Sequence, residues 1–221
     1  MTTAAGTRTK RLAPVAKRTI GGLVVVLVLL AMFFGTKIVP ADSSLAQSSS
    51  GKFVAAEYGK SQFPKQQAYI KKHAVSVAVL EAAIAKDPAA AAKKYGKSSD
   101  GATYVIPIEF TGVVGQVPDA GFTPMTVQGL PQGTAIGLQL GPAITGTDLR
   151  DVTGNIHLGD FENQIQFQDA GSAINDQLKK QVLTKVDSTQ LTGKTIAVKG
   201  AFTLVNPQQW NVTPASITVE G

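Results

Sequence analysis

The sequence predicts an α+β protein with an N-terminal transmembrane helix, a helical stalk, and a small, mostly antiparallel β-barrel with one helix between strands three and four. Three observations lead to this prediction. An uncharged apolar run fills residues 20–35, the apolar period changes from helical to alternating near residue 102, and one amphipathic helix interrupts the strands from about residue 169. With 43% hydrophobic and 16% charged residues, the chain can bury a core.

The first element is the predicted membrane span, residues 19–39. No charge occurs from Thr19 to Thr36, and at about 1.5 Å per residue a helix of this length crosses the roughly 30 Å hydrocarbon core. The preceding tail, residues 1–18, is rich in Lys and Arg, so the positive-inside rule places it in the cytoplasm. We therefore expect a single-pass signal anchor in the cell membrane, with the C-terminal domain outside the cytoplasm.

A cleaved signal peptide is the alternative interpretation of the same run, because its charged and apolar regions look alike. A small-x-small pattern exists at Ser44-Leu45-Ala46, well past the apolar residues. Both interpretations place the folded part outside the cytoplasm. The chain has no cysteine, which excludes disulfides, thiolate metal sites and lipid attachment through cysteine.

The net charge of +6 would favour nucleic-acid binding if it lay on the folded part. Six of the 21 Lys and Arg precede residue 38, whereas all 15 Asp and Glu follow it, so the exported part is neutral and no nucleic-acid partner is expected. Within that part, residues 52–97 hold nine Lys and three acidic residues, and residues 98–221 hold six basic and eleven acidic residues. The basic helices either lie near anionic lipid or an acidic partner, or are solvated and complementary to the acidic β module.

A Ser-rich polar spacer is predicted at residues 40–60 and a helical region at residues 61–97. Ser61 can cap the first helix and Pro64 suits its first turn. Its apolar stripe recurs at helical spacing and comprises Ile70, Ala74, Val77, Leu80 and Ile84. Asp87-Pro88 then starts a second, shorter helix.

The β module is predicted over residues 98–221. Alternating apolar and polar residues predict strands at 102–110, 136–140, 152–158, 196–204 and 215–219. Pro107 favours an edge position for the first strand. Asp169 can cap the intervening helix, whose apolar stripe runs from Ala170 to Val186. Three strands, one helix and two strands are the order expected of an OB-like barrel.

Several short segments are specific enough for comparison with a known family. They are Gly159–Ile165, the helix from Asp169, Leu191–Lys194, Gly200–Phe202, Asn206-Pro207 and Val212–Pro214. Together they resemble the bacterial family called domain of unknown function 2291, over roughly residues 20–220. The resemblance implies a periplasmic envelope protein, often encoded beside sugar ABC transporter components, with no established activity. Lipoprotein members need a cysteine that this chain lacks, so we expect the helical anchor to replace lipidation.

One polar, aromatic segment and the single tryptophan are the predicted ligand-binding residues: Phe161, Asn163, Gln164, Phe167 and Trp210. Aromatic rings pack on the apolar face of a sugar, and amides satisfy its hydroxyls. The alternative is structural. In that case the amides hydrogen-bond the backbone where the chain passes from strand to helix, and the rings belong to the core. The tryptophan, near the tip of the last hairpin, would then cap the barrel.

The sequence offers little for catalysis, and we expect no catalytic residues, metal or cofactor. His73 and His157 are the only imidazoles, without the clustered ligands of a zinc site or triad. Thr192–Thr195 ends like a phosphate loop, but Ser188 stands where that motif needs glycine, so no nucleotide is expected. A hydrolase using Asp160 and Glu162 is the remaining enzymatic alternative.

The sequence thus predicts a non-enzymatic, membrane-anchored, extracytoplasmic accessory or binding protein of the bacterial envelope. The expected partners are the lipid bilayer and a transporter or other envelope protein, with a sugar ABC uptake system as the specific version. An autonomous module that binds a small ligand or glycan is the alternative.

Overall fold

The computed structural model describes residues 53–141 and 143–220. The predicted tail at 1–18, the span at 19–39 and the spacer as far as residue 52 lie outside this range. Within the described range, no helix combines the length and the apolarity needed to cross a membrane.

The helices and strands alternate in a mixed order along the chain. The helices are α1 (Ala55–His73), α2 (Val77–Lys86), α3 (Pro88–Tyr95), α4 (Asp148–Asp151) and α5 (Gln164–Gln181). The strands are β1 (Val75–Ser76), β2 (Val105–Val114), β3 (Thr123–Thr126), β4 (Ala135–Leu138), β5 (Thr195–Thr203) and β6 (Gln209–Val219). Short 3-10 turns occupy Leu158–Asp160, Leu183–Lys185 and Ser188–Gln190.

Five strands close into a barrel in the order β2-β3-β4-β6-β5, and β5 pairs back with β2. Neighbouring strands are antiparallel except β4 and β6, which are parallel. Helix α5 lies between the third and fourth barrel strands in the sequence, so the predicted OB-like barrel with its interposed helix is confirmed. The short β1 adds to β2 in parallel, outside the barrel.

Two strand positions show why the sequence suits this barrel. Pro107 lies in a part of β2 that pairs with β5 alone, where a missing N–H on the other side is tolerated. Gly200 lies at a register shift between β5 and β6, and a Cβ there would be 2.5 Å from the Thr213 carbonyl oxygen. Only glycine permits this close approach of the two backbones.

The described residues form two hydrophobic cores. The first fills the barrel and extends to α2 and α3, with Phe202 and Trp210 among its fully buried side chains. The second lies between α1, α4, α5 and residues of three strands, namely Val105, Ala201 and Ala215. A fully buried large apolar side chain contributes about 1.5–3 kcal/mol, so both cores stabilise the fold substantially.

Helix α1 packs closely on α5. A Cβ at Gly59 would lie 2.4 Å from the Ala173 carbonyl oxygen, so the two backbones are in contact there. Phe63 and Ile70 are fully buried between α1 and the rest of the second core. The apolar stripe of the predicted stalk region is therefore covered, in α1, by α5 and by the barrel strands.

The predicted limits of the first helical region also differ from the structure. Helix α1 begins at Ala55, inside the predicted spacer, and Pro64 lies in its interior rather than in its first turn. The single helix expected through Ile84 is broken, because Val75 and Ser76 pair with β2 as β1. The start of α3 was predicted correctly, since the Asp87 side chain accepts a hydrogen bond from the Ala90 N–H at 3.0 Å.

Two predictions in the β module are wrong. Residues 152–158 form no strand; they follow the short helix α4, and Val152 and Ile156 bury their side chains in the second core from turns and extended backbone. Helix α5 begins before Asp169. Its N-cap is Asn163, whose side chain accepts a hydrogen bond from the Gln166 N–H at 3.0 Å, whereas Asp169 is exposed within the helix.

Candidate functional site

Phe161 and Phe167, two of the predicted ligand-binding residues, lie together at the start of α5. Their ring centroids are 5.4 Å apart, and both side chains are half-buried. Phe161 also contacts Phe53 and Tyr58, each at 5.5 Å between centroids. This aromatic cluster joins the beginning of α1 to the beginning of α5, so Phe161 has a packing role.

The amide side chains of the same segment organise the start of α5. Asn163 is its N-cap, and Gln164 is its exposed first residue. The buried Gln166 donates from Nε2 to the Glu162 carboxylate at 3.0 Å and accepts from the Glu162 N–H at 3.2 Å. Asn163 and Gln166 therefore serve the backbone and the helix start, as the structural alternative proposed.

Trp210 lies elsewhere, in the barrel core. It is fully buried, stacks on Phe202 at 5.4 Å between centroids, and donates its indole N–H to the Pro207 carbonyl oxygen at 2.8 Å. The Phe161–Phe167 cluster belongs to the second core instead. The five predicted residues therefore do not line one site, and the tryptophan side chain is buried in the barrel core.

The residues considered for catalysis do not converge. Asp160 accepts a hydrogen bond from the His157 N–H at 2.8 Å, whereas Glu162 is engaged with Gln166. The His157 Nδ1 atom lies 3.1 Å from the Ser99 carbonyl oxygen, and His73 stacks on a tyrosine ring of its own helix. Among residues 53–141 and 143–220, no group of three or more potential ligands is placed to hold a metal ion.

A cleft of about 430 Å³ lies between α4, the loop before β2 and the first turn of α5. We call it the α4 cleft. Its polar lining comprises Ser99, Asp100, Thr103, Thr147, Arg150, Asp151 and Thr203, and its apolar lining comprises Val105, Leu158 and Phe167. Of the predicted ligand-binding residues, only Phe167 belongs to this cleft.

Arg150 forms the fixed centre of the α4 cleft. Its Nε and Nη2 atoms donate to the two carboxylate oxygens of Asp151 at 2.7 and 2.9 Å, and Nη1 donates to the Phe167 carbonyl oxygen at 3.1 Å. The guanidinium carbon Cζ also lies 3.6 Å from the centroid of the Phe167 ring. Fork pairing and ring stacking hold an arginine in one orientation, and Asp151 balances its charge.

Hydrogen bonds from threonines fix α4 on the barrel. The Asp148 carboxylate accepts from the hydroxyls of Thr203 on β5 and Thr213 on β6, at 2.6 and 2.9 Å. Burial raises the pKa of Asp148, although both hydroxyl hydrogen bonds oppose the rise. Thr147 donates to Asp151 at 2.6 Å, so the Arg150–Asp151 pair is held from a third side.

The loop at the mouth of the cleft is organised by Asp100. Its carboxylate accepts hydrogen bonds from the N–H groups of Thr103 and Ala102, at 2.7 and 2.8 Å, and from the Ser98 hydroxyl at 2.8 Å. These hydrogen bonds, led by that of Thr103, hold the pKa of Asp100 well below its usual range. The mouth of the cleft therefore carries a permanent negative charge.

A second cleft of about 510 Å³ adjoins the first, since Thr103 and Thr203 line both. We call it the α3 cleft, because residues of α3 form one wall. Its other wall is the β5–β6 loop, where Val205 is 83% exposed. In OB-like barrels this loop flanks the usual ligand face.

The sequence contains one signal for the α4 cleft that lies outside the predicted ligand-binding residues. Arg150 is the only arginine after Arg18, and it stands between Asp148 and Asp151. An isolated arginine beside acidic residues indicates a fork-shaped ion pair, which is the usual form of a buried arginine. The other lining residues come from separate segments of the chain, so no local sequence pattern predicts that they lie together.

Comparison with known proteins agrees with this architecture. No curated protein matches the chain. A crystal structure of an OB-fold protein from Thermotoga maritima is 17% identical, with a TM-score of 0.60 over 76% of this chain and 99% of that one, which establishes the shared fold. The family described as predicted periplasmic lipoprotein, domain of unknown function 2291, matches residues 25–218. The chain therefore belongs to this family of extracytoplasmic, membrane-associated envelope proteins.

Proposed function

We propose that this protein is a non-enzymatic binding protein of the envelope, and that its α4 cleft holds a small neutral ligand with several hydroxyl groups, such as a monosaccharide. The observation that carries the proposal is the rigid Arg150–Asp151 pair, stacked on Phe167 in a cleft of about 430 Å³. Clefts that hold small molecules usually have roughly 300–1,000 Å³ and a few fixed polar groups.

The charges of the cleft favour a neutral ligand. Arg150 is neutralised by Asp151, and Asp100 stays ionised at the mouth, so an anionic ligand would meet repulsion without a free cation. The Ser99 hydroxyl can donate and accept, as sugar hydroxyls require, and the Thr147 hydroxyl, which donates to Asp151, can still accept. Leu158, which is 50% exposed, supplies apolar surface for the C–H face of a sugar ring.

The proposal includes a membrane anchor formed by residues 19–39 and a function without catalysis. Because the chain lacks cysteine, attachment through a helix is the form of membrane association that its sequence supports. The separate placement of His73 and His157 supports a binding role over hydrolysis. Recovery of the intact chain in the cytosolic fraction would contradict the anchor.

Calorimetric titration of the full chain in mild detergent with a panel of monosaccharides tests the cleft. Leu158→Ser should weaken sugar binding roughly tenfold, equivalent to about 1.4 kcal/mol, by removing the apolar wall. Val79→Ser is the matched control, because Val79 is also 50% exposed but lines neither cleft. If no sugar binds at millimolar concentration, or if both variants weaken binding equally, the proposal is wrong.

An accessory role beside a sugar ABC uptake system is the second candidate. The observation that favours a protein partner is the apolar rim of the α3 cleft, where Val205, 83% exposed, adjoins the half-buried Leu204 and the exposed Pro207. A photo-crosslinker at Val205 in whole cells should capture a transporter component, whereas one at Val79 should not. Repeated capture without any transporter component would argue against this role.

A further inference from the structure

We propose that the solvent side of α1 lies against anionic lipid headgroups through its four lysines, Lys60, Lys65, Lys71 and Lys72. All four side chains are exposed. This surface is independent of both clefts, whose lining residues do not include α1. We call it the α1 basic surface.

The four lysines share one side of the helix. The buried residues Gly59, Phe63, Gln66 and Ile70 define the opposite side. At about 100° per residue, each lysine lies about 90° or more from the centre of that buried side. Glu57 is the only acidic residue of α1, so the solvent side is strongly basic.

These lysines have no acidic partner among residues 53–141 and 143–220, where the salt bridges involve other cations. Helix α5 places Asp169 and Asp176 against α1, but they lie beside Ala55 and Ala56 at the start of the helix. Asp176 pairs with Lys179. The charge of the α1 basic surface is therefore available to an external anionic surface.

A lipid surface fits this position better than any other anionic surface. The family is membrane-associated, and α1 is the first described element after the predicted span and spacer. The helix is about 28 Å long, and its solvent side carries Ser61, Pro64 and Ala68 between the lysines, without a large apolar residue to insert. The lysine side chains on both sides of this strip can reach the headgroups. We therefore expect α1 to lie on the membrane surface and not to insert into it.

The absence of cysteine makes a direct test possible. Ala68→Cys places a fluorescent label at the centre of the α1 basic surface, and Ala120→Cys places the same label on an exposed barrel loop. The full chain is reconstituted in vesicles of phosphatidylcholine alone or mixed with phosphatidylglycerol. Acrylamide should quench the label at position 68 less in the anionic vesicles, and the label at position 120 equally in both.

Salt and charge variants complete the test. Raising the salt to about 1 M shortens the Debye length to about 3 Å and should restore quenching at position 68. Each lysine changed to glutamine should lower the ratio of docked to free helix roughly fivefold. The charge-matched control changes four exposed lysines of α2, α3 and the residues after α3 to glutamine and should have little effect: Lys86, Lys93, Lys94 and Lys97.

The outcomes are distinguishable. Since all eight lysines are exposed, the variants should melt like the wild type, so lost protection would not reflect unfolding. Equal quenching at position 68 in both vesicle types overturns the proposal. Protection that requires native membrane proteins also overturns it, and would assign the surface to an acidic protein. An equal effect of both lysine sets would also overturn it, because the net charge of the protein would then account for the protection.

Discussion

Replacing Gly59 with alanine tests the contact that holds α1 on the rest of the module. In an ordinary helix interior this change raises the free energy of unfolding by about 1 kcal/mol. Here the new Cβ would lie 2.4 Å from the Ala173 carbonyl oxygen and 3.0 Å from its Cβ, far inside contact distance. The helices would have to separate and loosen the packing of Phe63, and overpacking of this kind costs about 1–3 kcal/mol. Together these two effects should leave a net loss of up to about 2 kcal/mol.

Gly171→Ala is the control, since Gly171 lies inside α5 and a Cβ there would meet its nearest atoms at 3.6 Å, an ordinary contact. It should stabilise by up to about 1 kcal/mol, so the two alanine variants should shift stability in opposite directions. Thermal unfolding followed by Trp210 fluorescence measures both, at about 2–4 °C per kcal/mol for a domain of this size. If Gly59→Ala stabilises as much as Gly171→Ala, the two helices do not approach as described.

Three further predictions concern buried groups. Because burial raises the pKa of Asp148 above its ordinary value of 3.8, its favourable contribution is complete below that pH and is lost as the pH rises through the raised pKa. Asp148→Asn should therefore gain stability relative to wild type as the pH increases, and a constant difference in melting temperature from about pH 3 to pH 8 would contradict this. Arg150→Met should lower the free energy of unfolding by about 3–5 kcal/mol, because it removes the cation that pairs with the Asp151 carboxylate. The double variant Arg150→Met, Asp151→Leu should recover part of that loss, and chemical unfolding measures both variants. Trp210 should emit at short wavelength and resist quenching by acrylamide because it is fully buried; emission like that of tryptophan in water would contradict this burial.

The barrel could be predicted largely because its strands follow a simple period. Alternation located β2, β4 and β5 to within a few residues, and it located the second half of β6. The break after α1 could not be predicted in the same way. Val75 and Ser76 lie inside a stretch whose apolar residues recur at helical spacing, and only their pairing with β2 makes them a strand.

The wrong strand at 152–158 has a similar cause. A short helix followed by turns can bury Val152 and Ile156 at a spacing that also fits alternation, and local sequence does not separate the two. The start of α5 was ambiguous for another reason. Asn163 and Asp169 are both good N-caps, and the buried position of Gln166 selects the earlier one.

The candidate site was the least predictable part. Phe167 was identified as a potential binding residue, but its role as a platform for Arg150 depends on a contact across 17 positions of the chain. Trp210 attracted attention as the only tryptophan, yet the parallel pairing of β4 and β6 places it inside the barrel. Such long-range contacts are set by topology and leave no local pattern.

The packing of α1 on α5 also affects how the chain matures after export. Phe63 and Ile70 emerge early during translocation, but the residues that cover them, including Ile174 and Ala215, follow more than a hundred positions later. Until then the apolar side of this helix is uncovered. Contacts of such long range slow folding, because the second core cannot close until the last strand, which carries Ala215, is present.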